Sequence, residues 1–269
     1  MRKWQALASA LSVAFAFVAL SSCAAQRRDP ARDTAEIAPL RVGVNANYPP
    51  LSFEEDGEIK GIEPDLARLV AQRLGRPVEF AVFPFEDLIP ALNTNRIDVI
   101  MAGMSVTPAR ERQVQFTKPY LEVAQMALLR RSDQSHATDY PRMNAPTSRV
   151  GVKKGTTGEA YARANLPRAK IVVFETVGQG KAALRKGEVD YFIHDAPTVW
   201  RTTGRFDDDP DLVGMNRALT SELVAWAVRP ADGKTLGRQL DGALEQLTAS
   251  GELKAVLDRW LPVRRVTVG

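Results

Sequence analysis

The sequence predicts an α/β fold of two lobes joined by two extended segments, and three observations carry that prediction. From Leu40 onward, short β-branched runs alternate with segments of helical period. The alternation restarts at Val150 and fills a second stretch of similar size. Two further apolar runs, residues 123–131 and 223–229, fall where the chain would leave one lobe and return to it. A length of 269 residues suits one large domain or two modest ones. With 45% hydrophobic and 25% charged residues, the composition excludes a disordered chain, a collagen and a multi-span membrane protein.

Residues 1–22 read as a signal peptide. Arg2 and Lys3 precede an apolar run from Trp4 to Leu20, no acidic residue occurs before Asp29, and the run is too short for a spanning helix. It ends in Leu20-Ser21-Ser22-Cys23, which resembles the lipobox of bacterial lipoproteins, where the Cys is acylated and becomes the new N-terminus. Cys23 is therefore the expected lipidation site. A plain secretory signal with an incidental Cys and an uncleaved anchor are the alternatives. Residues 23–39 are poor in apolar side chains and aperiodic, as a tether between a lipid anchor and a folded body would be.

The first lobe is expected from residues 40–122 and 222–269, the second from residues 123–221. Residues 40–44 form a strand. Ile62, Leu66, Leu69, Val70 and Leu74 share one helical face, and Gly75 and Pro77 end that helix. A strand over 78–83, a helix over 85–93 containing Pro90, and a continuous apolar strand over 97–101 follow, as a parallel sheet requires. The second cycle runs through a strand at 150–153, a helix at 159–165, a strand at 170–174, a helix at 178–185 and a strand at 189–194. Leu236, Leu240, Leu244 and Leu247 mark a late helix, and residues 252–261 a last one. Two lobes on two extended connections imply a hinged pair with a cleft between them.

Composition also narrows the chemistry. One Cys permits neither an intrachain disulfide nor a thiolate metal cluster, and two His cannot make a three-His zinc site, so no metal and no cofactor is expected. The net charge of +4 falls by two when Arg2 and Lys3 are removed with the signal. No basic stripe interleaves with aromatics, which excludes nucleic acid as a partner.

Ordered segments of the body resemble a known family. They begin with Tyr48-Pro49-Pro50-Leu51-Ser52-Phe53 and Gly57-Glu58-Ile59-Lys60-Gly61-Ile62-Glu63-Pro64-Asp65-Leu66-Ala67. They continue through Arg96-Ile97-Asp98-Val99-Ile100, Ser105-Val106-Thr107-Pro108-Ala109-Arg110 and Phe116-Thr117-Lys118-Pro119-Tyr120. In the second half they include Val150-Gly151-Val152, Gly155-Thr156-Thr157 and Gly187-Glu188-Val189-Asp190. The chain is similar to the polar amino-acid binding proteins of solute-binding protein family 3, the periplasmic components of ABC importers. The resemblance implies a type II periplasmic-binding fold: two Rossmann-like lobes, two crossover strands, and a ligand buried when the lobes close. It implies ABC permease subunits as partners, a monomer, and a place in the periplasm or at the cell surface, anchored to the membrane by lipid.

A free amino acid brings a carboxylate and an ammonium, and a closed cleft must neutralise both. The resemblance points to Arg110 for the carboxylate, since a guanidinium grips both oxygens at once. Ser105 and Thr107 before it look like a helix N-cap, and a solvated surface Arg is the plainer alternative. From the other lobe, the N–H groups and hydroxyls of Thr156 and Thr157 would meet the same carboxylate, unless they only cap a turn. Asp195, at the end of a strand, resembles the acid that receives the ammonium; it could also cap the helix after it. Tyr48 and Phe85 would wall the pocket or simply pack in the core, and Ala102, Gly103 and Ser105 would present backbone groups. Asn45 stands where many relatives carry an acid, which speaks against a cationic ligand such as arginine, and Gly158 where several carry a Gln or Arg, which would leave space there or less side-chain recognition. His194 is expected to point away from the cleft, because strand neighbours alternate.

Two other readings share the fold. Periplasmic cyclohexadienyl dehydratases resemble this sequence around Gly155-Thr156-Thr157 and Ala162-Arg163-Ala164-Asn165-Leu166, and they use a Glu three residues after the cleft Asp; here that residue is Thr198. A sensory lipoprotein whose closure is read by a signalling partner is the other.

Overall fold

The computed structural model describes residues 37–204 and 209–261. The predicted signal peptide, Cys23 and the tether up to Glu36 lie outside the described residues. Among the described residues no helix is long and apolar enough to cross a membrane.

Two five-stranded sheets share one plan. The first runs in the spatial order Val78–Val82, Leu40–Val44, Val99–Ile100, Ala227–Val228, Gln115–Phe116. The second runs Lys170–Phe174, Arg149–Lys153, Tyr191–Asp195, Gln125–Arg130, Leu212–Gly214. In each, the first three strands are parallel and the fourth is antiparallel to both of its neighbours. The purely parallel lobes expected from the alternation are thus mixed. The reason is the route of the chain: each antiparallel strand is the first to enter its sheet after the crossing from the other. The crossing segments, Leu121–Val123 and Glu222–Val224, pair with each other antiparallel as a two-stranded sheet.

A side-chain device is repeated too. Arg41, second in its strand, sets its N–H on Asp98 Oδ2 at 3.0 Å and its guanidinium on Asp98 Oδ1 at 2.6 Å. Arg149 does the same with Asp190, at 2.9 and 2.7 Å. Each pair ties the start of one parallel strand to the turn before its neighbour.

Apolar residues cover both faces of both sheets, which explains the continuous apolar runs. Val99 and Met101 join one cluster while Ile100 and Ala102 join another, the period of two expected of a strand. In the second sheet Ala127, Leu129 and Ile193 face one way and Leu128 and Phe192 the other. The helix Ile62–Arg73 buries Ile62, Leu66, Ala67 and Val70 and packs with the late helices Arg238–Ala249 and Glu252–Trp260 through Leu240, Leu244 and Leu257. Pro90 does not break its segment. A 3₁₀ turn, Phe85–Asp87, precedes the helix Leu88–Asn93, so Pro90 falls in the first turn, where no helical partner exists for its missing N–H. Elements not anticipated include the small sheet Asn47–Tyr48, Ser52–Glu55 and Glu58–Lys60, the helix Tyr140–Met143, and the edge strands Gln115–Phe116 and Leu212–Gly214.

Candidate functional site

The C-terminal ends of the parallel strands of both sheets meet around one cavity of about 10 Å³. The first lobe brings Tyr48 from its short strand, Phe85 from the start of the 3₁₀ turn, Gly103 and Ser105 from the loop after Val99–Ile100, and Arg110. The second brings Thr156, Thr157 and Asp195, together with Lys153 and His194. Ala102 is elsewhere: it is packed in the core with Ile100 and Met104. Asn45 is buried behind the lining and reaches the cavity only through Lys153.

Local structure explains each position. Thr107 caps the helix Pro108–Glu111, its Oγ1 accepting from the Arg110 N–H at 3.3 Å, while Ser105 makes a bridge to Val224 of the crossing pair. Arg110 then donates from Nη1 to the Ser105 carbonyl at 2.8 Å and from Nη2 to the Gly155 carbonyl of the other lobe at 3.2 Å. Its guanidinium lies over the Phe85 ring, 5.2 Å from the centroid. Phe85 therefore both packs in the core and faces the cavity. Thr156 is the cap of the helix Thr157–Asn165, accepting from the Glu159 N–H at 3.3 Å, and Thr157 Oγ1 accepts from Gln125 Nε2 at 3.0 Å. Asp195 precedes the helix Ala196–Thr203 but makes no side-chain capping bond. Its carboxylate accepts instead from the Tyr48 hydroxyl across the cleft and from Gln125 Nε2. Gly103 has φ +67°, and a Cβ there would lie 2.7 Å from the Tyr48 ring, so only glycine fits beneath that wall.

Lys153 is 1% exposed and donates to Asn45 Oδ1 at 2.7 Å and Asn47 Oδ1 at 3.0 Å, both in the first lobe. Burial lowers its pKa to about 8, with Asp195 and Glu86 opposing that shift. Burial also raises the Asp195 pKa, against the hydrogen bonds of Tyr48 and Gln125 and the charges of Arg110 and Lys153. Arg110 is lowered by burial, with Asp195 and Glu222 opposing. His194 is driven down to about 3 by burial and by the charge of Lys153. Behind the first lobe's wall, Glu63 is fully buried and accepts from the Gly103 N–H at 2.6 Å, the Tyr120 hydroxyl at 2.8 Å and Trp226 Nε1 at 2.9 Å. Burial outweighs those three donors and raises its pKa to about 7. Among the described residues no group of three or more His, Cys, Asp or Glu could hold a metal ion.

The profile of the bacterial extracellular solute-binding proteins, family 3, matches residues 40–263. The chain belongs to this family. It is 30% identical to the probable histidine-binding protein of Neisseria gonorrhoeae, over 97% of this chain and 96% of that one. It is 29% identical to the ABC transporter arginine-binding protein 1 of Escherichia coli K12, over 83% of this chain and 90% of that one. A cyclohexadienyl dehydratase of Pseudomonas aeruginosa is 27% identical over 91% of each. Among solved structures, an ancestral amino acid-binding protein described as a precursor of cyclohexadienyl dehydratase superposes with a TM-score of 0.77 at 30% identity, covering 84% of this chain and 96% of that one.

In this family 3 protein, two further expectations about the site need correction. His194 is not turned away: it lines the cavity, with its ring edge-on to Tyr48 at 5.0 Å and stacked on Phe192 at 6.0 Å. Alternation sorts residues between the faces of a sheet, but a cleft at the end of a strand is open to both. Gly158 does not leave free space: a Cβ there would come within 2.8 Å of Gln125 Oε1, so the glycine makes room for the amide that holds Asp195. Lys153, Gln125 and Glu63 were missed. Lys153 and Gln125 carried a faint signal, as polar residues ending or interrupting apolar strands; Glu63 carried none, being one acid at a helix start.

Proposed function

We propose that this protein is the substrate-binding component of an ABC importer and captures a small amino acid or related carboxylate by closure of the two lobes. One observation carries the reading: Arg110, on a helix of the first lobe, and Asp195, at a strand end of the second, converge, both partly buried, on one cavity. A guanidinium suits an α-carboxylate and a carboxylate suits an α-ammonium. Neither lobe offers both, so a ligand that bridges them favours the closed form through its differential contacts. The arginine- and histidine-binding relatives support the same class of ligand.

The cavity is about the size one water needs, so ligand entry requires the lobes to part. Parting breaks the bonds from Tyr48 to Asp195, from Lys153 to Asn45 and Asn47, and from Arg110 to Gly155. The paired crossing segments Leu121–Val123 and Glu222–Val224 are the hinge on this reading. The permease then reads the closed shape, and export with lipidation at Cys23 keeps the protein in the periplasm or at the cell surface, on the membrane.

The dehydratase reading needs a proton donor beside the substrate. Thr198 is 2% exposed, and its hydroxyl is spent on the Pro49 carbonyl at 3.2 Å. A hydroxyl is also a poor acid at neutral pH. The test is a thermal-shift screen against the common amino acids, since a ligand that binds only the folded state raises its melting temperature. A rise with one or a few amino acids is expected; silence throughout, or turnover of prephenate, would displace the reading.

A further inference from the structure

The charged side chains lining the cavity, among the described residues, are Arg110, Lys153 and Asp195, one positive charge in excess. On the reading above, on which this inference rests, the ligand's carboxylate takes Arg110 and its ammonium takes Asp195. Lys153 is left over. Its hydrogen bonds go to two neutral amides, and the Tyr48 and Phe85 rings lie 5.8 and 5.6 Å from its Nζ. An ammonium has three protons to donate, and two are in use. The carboxylates that act on Lys153 are engaged elsewhere: Asp195 holds Tyr48 and Gln125, and Glu86 pairs with Lys154 at 3.0 Å. Glu222, in the crossing pair, accepts from Thr220 on Oε1 at 2.8 Å; its buried Oε2 has no hydrogen-bond partner among the described residues, and its charge acts on Arg110 and His194.

His194 supplies a second, independent sign. It is 2% exposed, lines the cavity, and neither ring nitrogen has a hydrogen-bond partner among the described residues. A neutral imidazole carries one N–H donor. Its ring lies against Tyr48, the ring that Lys153 also faces. Two unspent donors, one of them cationic, thus flank the same aromatic wall.

We infer that the ligand carries a second anionic group seated against Lys153, so that this protein takes acidic amino acids of the aspartate and glutamate class rather than cationic ones. A neutral amino acid would close the cleft with one uncompensated positive charge inside, and arginine would add another; an acidic one cancels the excess. Asn45 and Asn47 fit this role, because they hold the ammonium in place without neutralising it.

Calorimetry on the full chain with L-glutamate, L-aspartate, L-glutamine, L-arginine and L-histidine tests the inference. Glutamate or aspartate should bind at least about tenfold more tightly than glutamine or arginine. Lys153→Met should cost the acid about tenfold or more and leave glutamine within about threefold. Asn47→Asp keeps the lysine but gives it an internal counterion, so it should weaken the acid as well, and it serves where Lys153→Met does not fold. Tighter binding of arginine or histidine than of either acid, or unchanged acid affinity in both variants, would overturn the inference and leave the amino-acid reading standing. Binding by none of the five would overturn the inference, and the amino-acid reading falls with it only if the wider thermal-shift screen is silent as well.

Discussion

The two lobes share a strand order and an Arg-to-Asp clasp, yet they treat their buried charges in opposite ways. In the first lobe, Glu63 is satisfied entirely from within: Gly103, Tyr120 and Trp226 all donate to it and all belong to the same side. In the second, Lys153 and Asp195 are satisfied across the cleft, by Asn45, Asn47 and Tyr48, with Gln125 the partner from their own side. A charge satisfied internally contributes to folding whether the cleft is open or closed. A charge satisfied across a cleft gains its partners only on closure, and those partners can be exchanged for a ligand. The same architecture therefore gives the first lobe an internally satisfied charge behind its wall and leaves the second lobe's charges to partners that closure brings.

The comparison can be broken at several points. Glu63→Ala leaves three buried donors unpaired and should destabilise the protein by about 3–5 kcal/mol in urea unfolding. A loss below about 1 kcal/mol would mean that the first lobe does not depend on that network. Arg110→Ala should weaken ligand binding by about 2–5 kcal/mol, read by calorimetry, while changing the melting temperature little, because its partners are carbonyls at the cleft rather than core groups. Unchanged affinity would remove Arg110 from the site.

The pH dependence of stability sharpens the contrast, since one buried group in each lobe pulls in an opposite direction. Glu63 titrates near 4.5 when unfolded and near 7 when folded, so its contribution is complete below 4.5 and is lost as pH rises through about 7. His194 titrates near 6.5 unfolded and near 3 folded, so its contribution is present above 6.5 and is lost as pH falls toward 3. Between about 4.5 and 6.5 the two slopes oppose each other. His194→Phe should remove the acid-side loss, about 2 kcal/mol between pH 6.5 and pH 5. Glu63→Gln should leave a profile that declines more steeply toward acid than the parent. Melting curves at pH 5, 6 and 7 distinguish the two, and parallel profiles for all three proteins would count against both assignments. The smallest effect is expected from Gly158→Ala, which pushes the Gln125 amide off Asp195 and should cost about 1 kcal/mol of ligand affinity with the fold unchanged.

Much of this was legible in the sequence, for identifiable reasons. The β-branched run at 40–44 and the helical face of Ile62, Leu66 and Val70 are local periodicities, and local periodicity survives in one dimension. Arg110, Thr156, Thr157 and Asp195, which the structure places around the cavity, stood out because they lie at the ends of recognisable elements within a family resemblance. Gln125 and Lys153 escaped because each ends or interrupts an apolar strand with one polar residue, and a lone polar residue does not say what faces it. His194 was misplaced by a sound rule applied beyond its range, since alternation says nothing about a cleft at the strand's end.

The sequence by itself determined the alternating elements, the doubling of the α/β unit and the chemical types available to a site, because backbone preference and side-chain period act between near neighbours. Only the tertiary structure decided that an ammonium at 153 and a carboxylate at 195 would be held by residues 108 and 147 positions earlier in the chain. Which charge is compensated, and by what, depends on distances across a cleft, and electrostatic energy follows separation in space rather than along the chain.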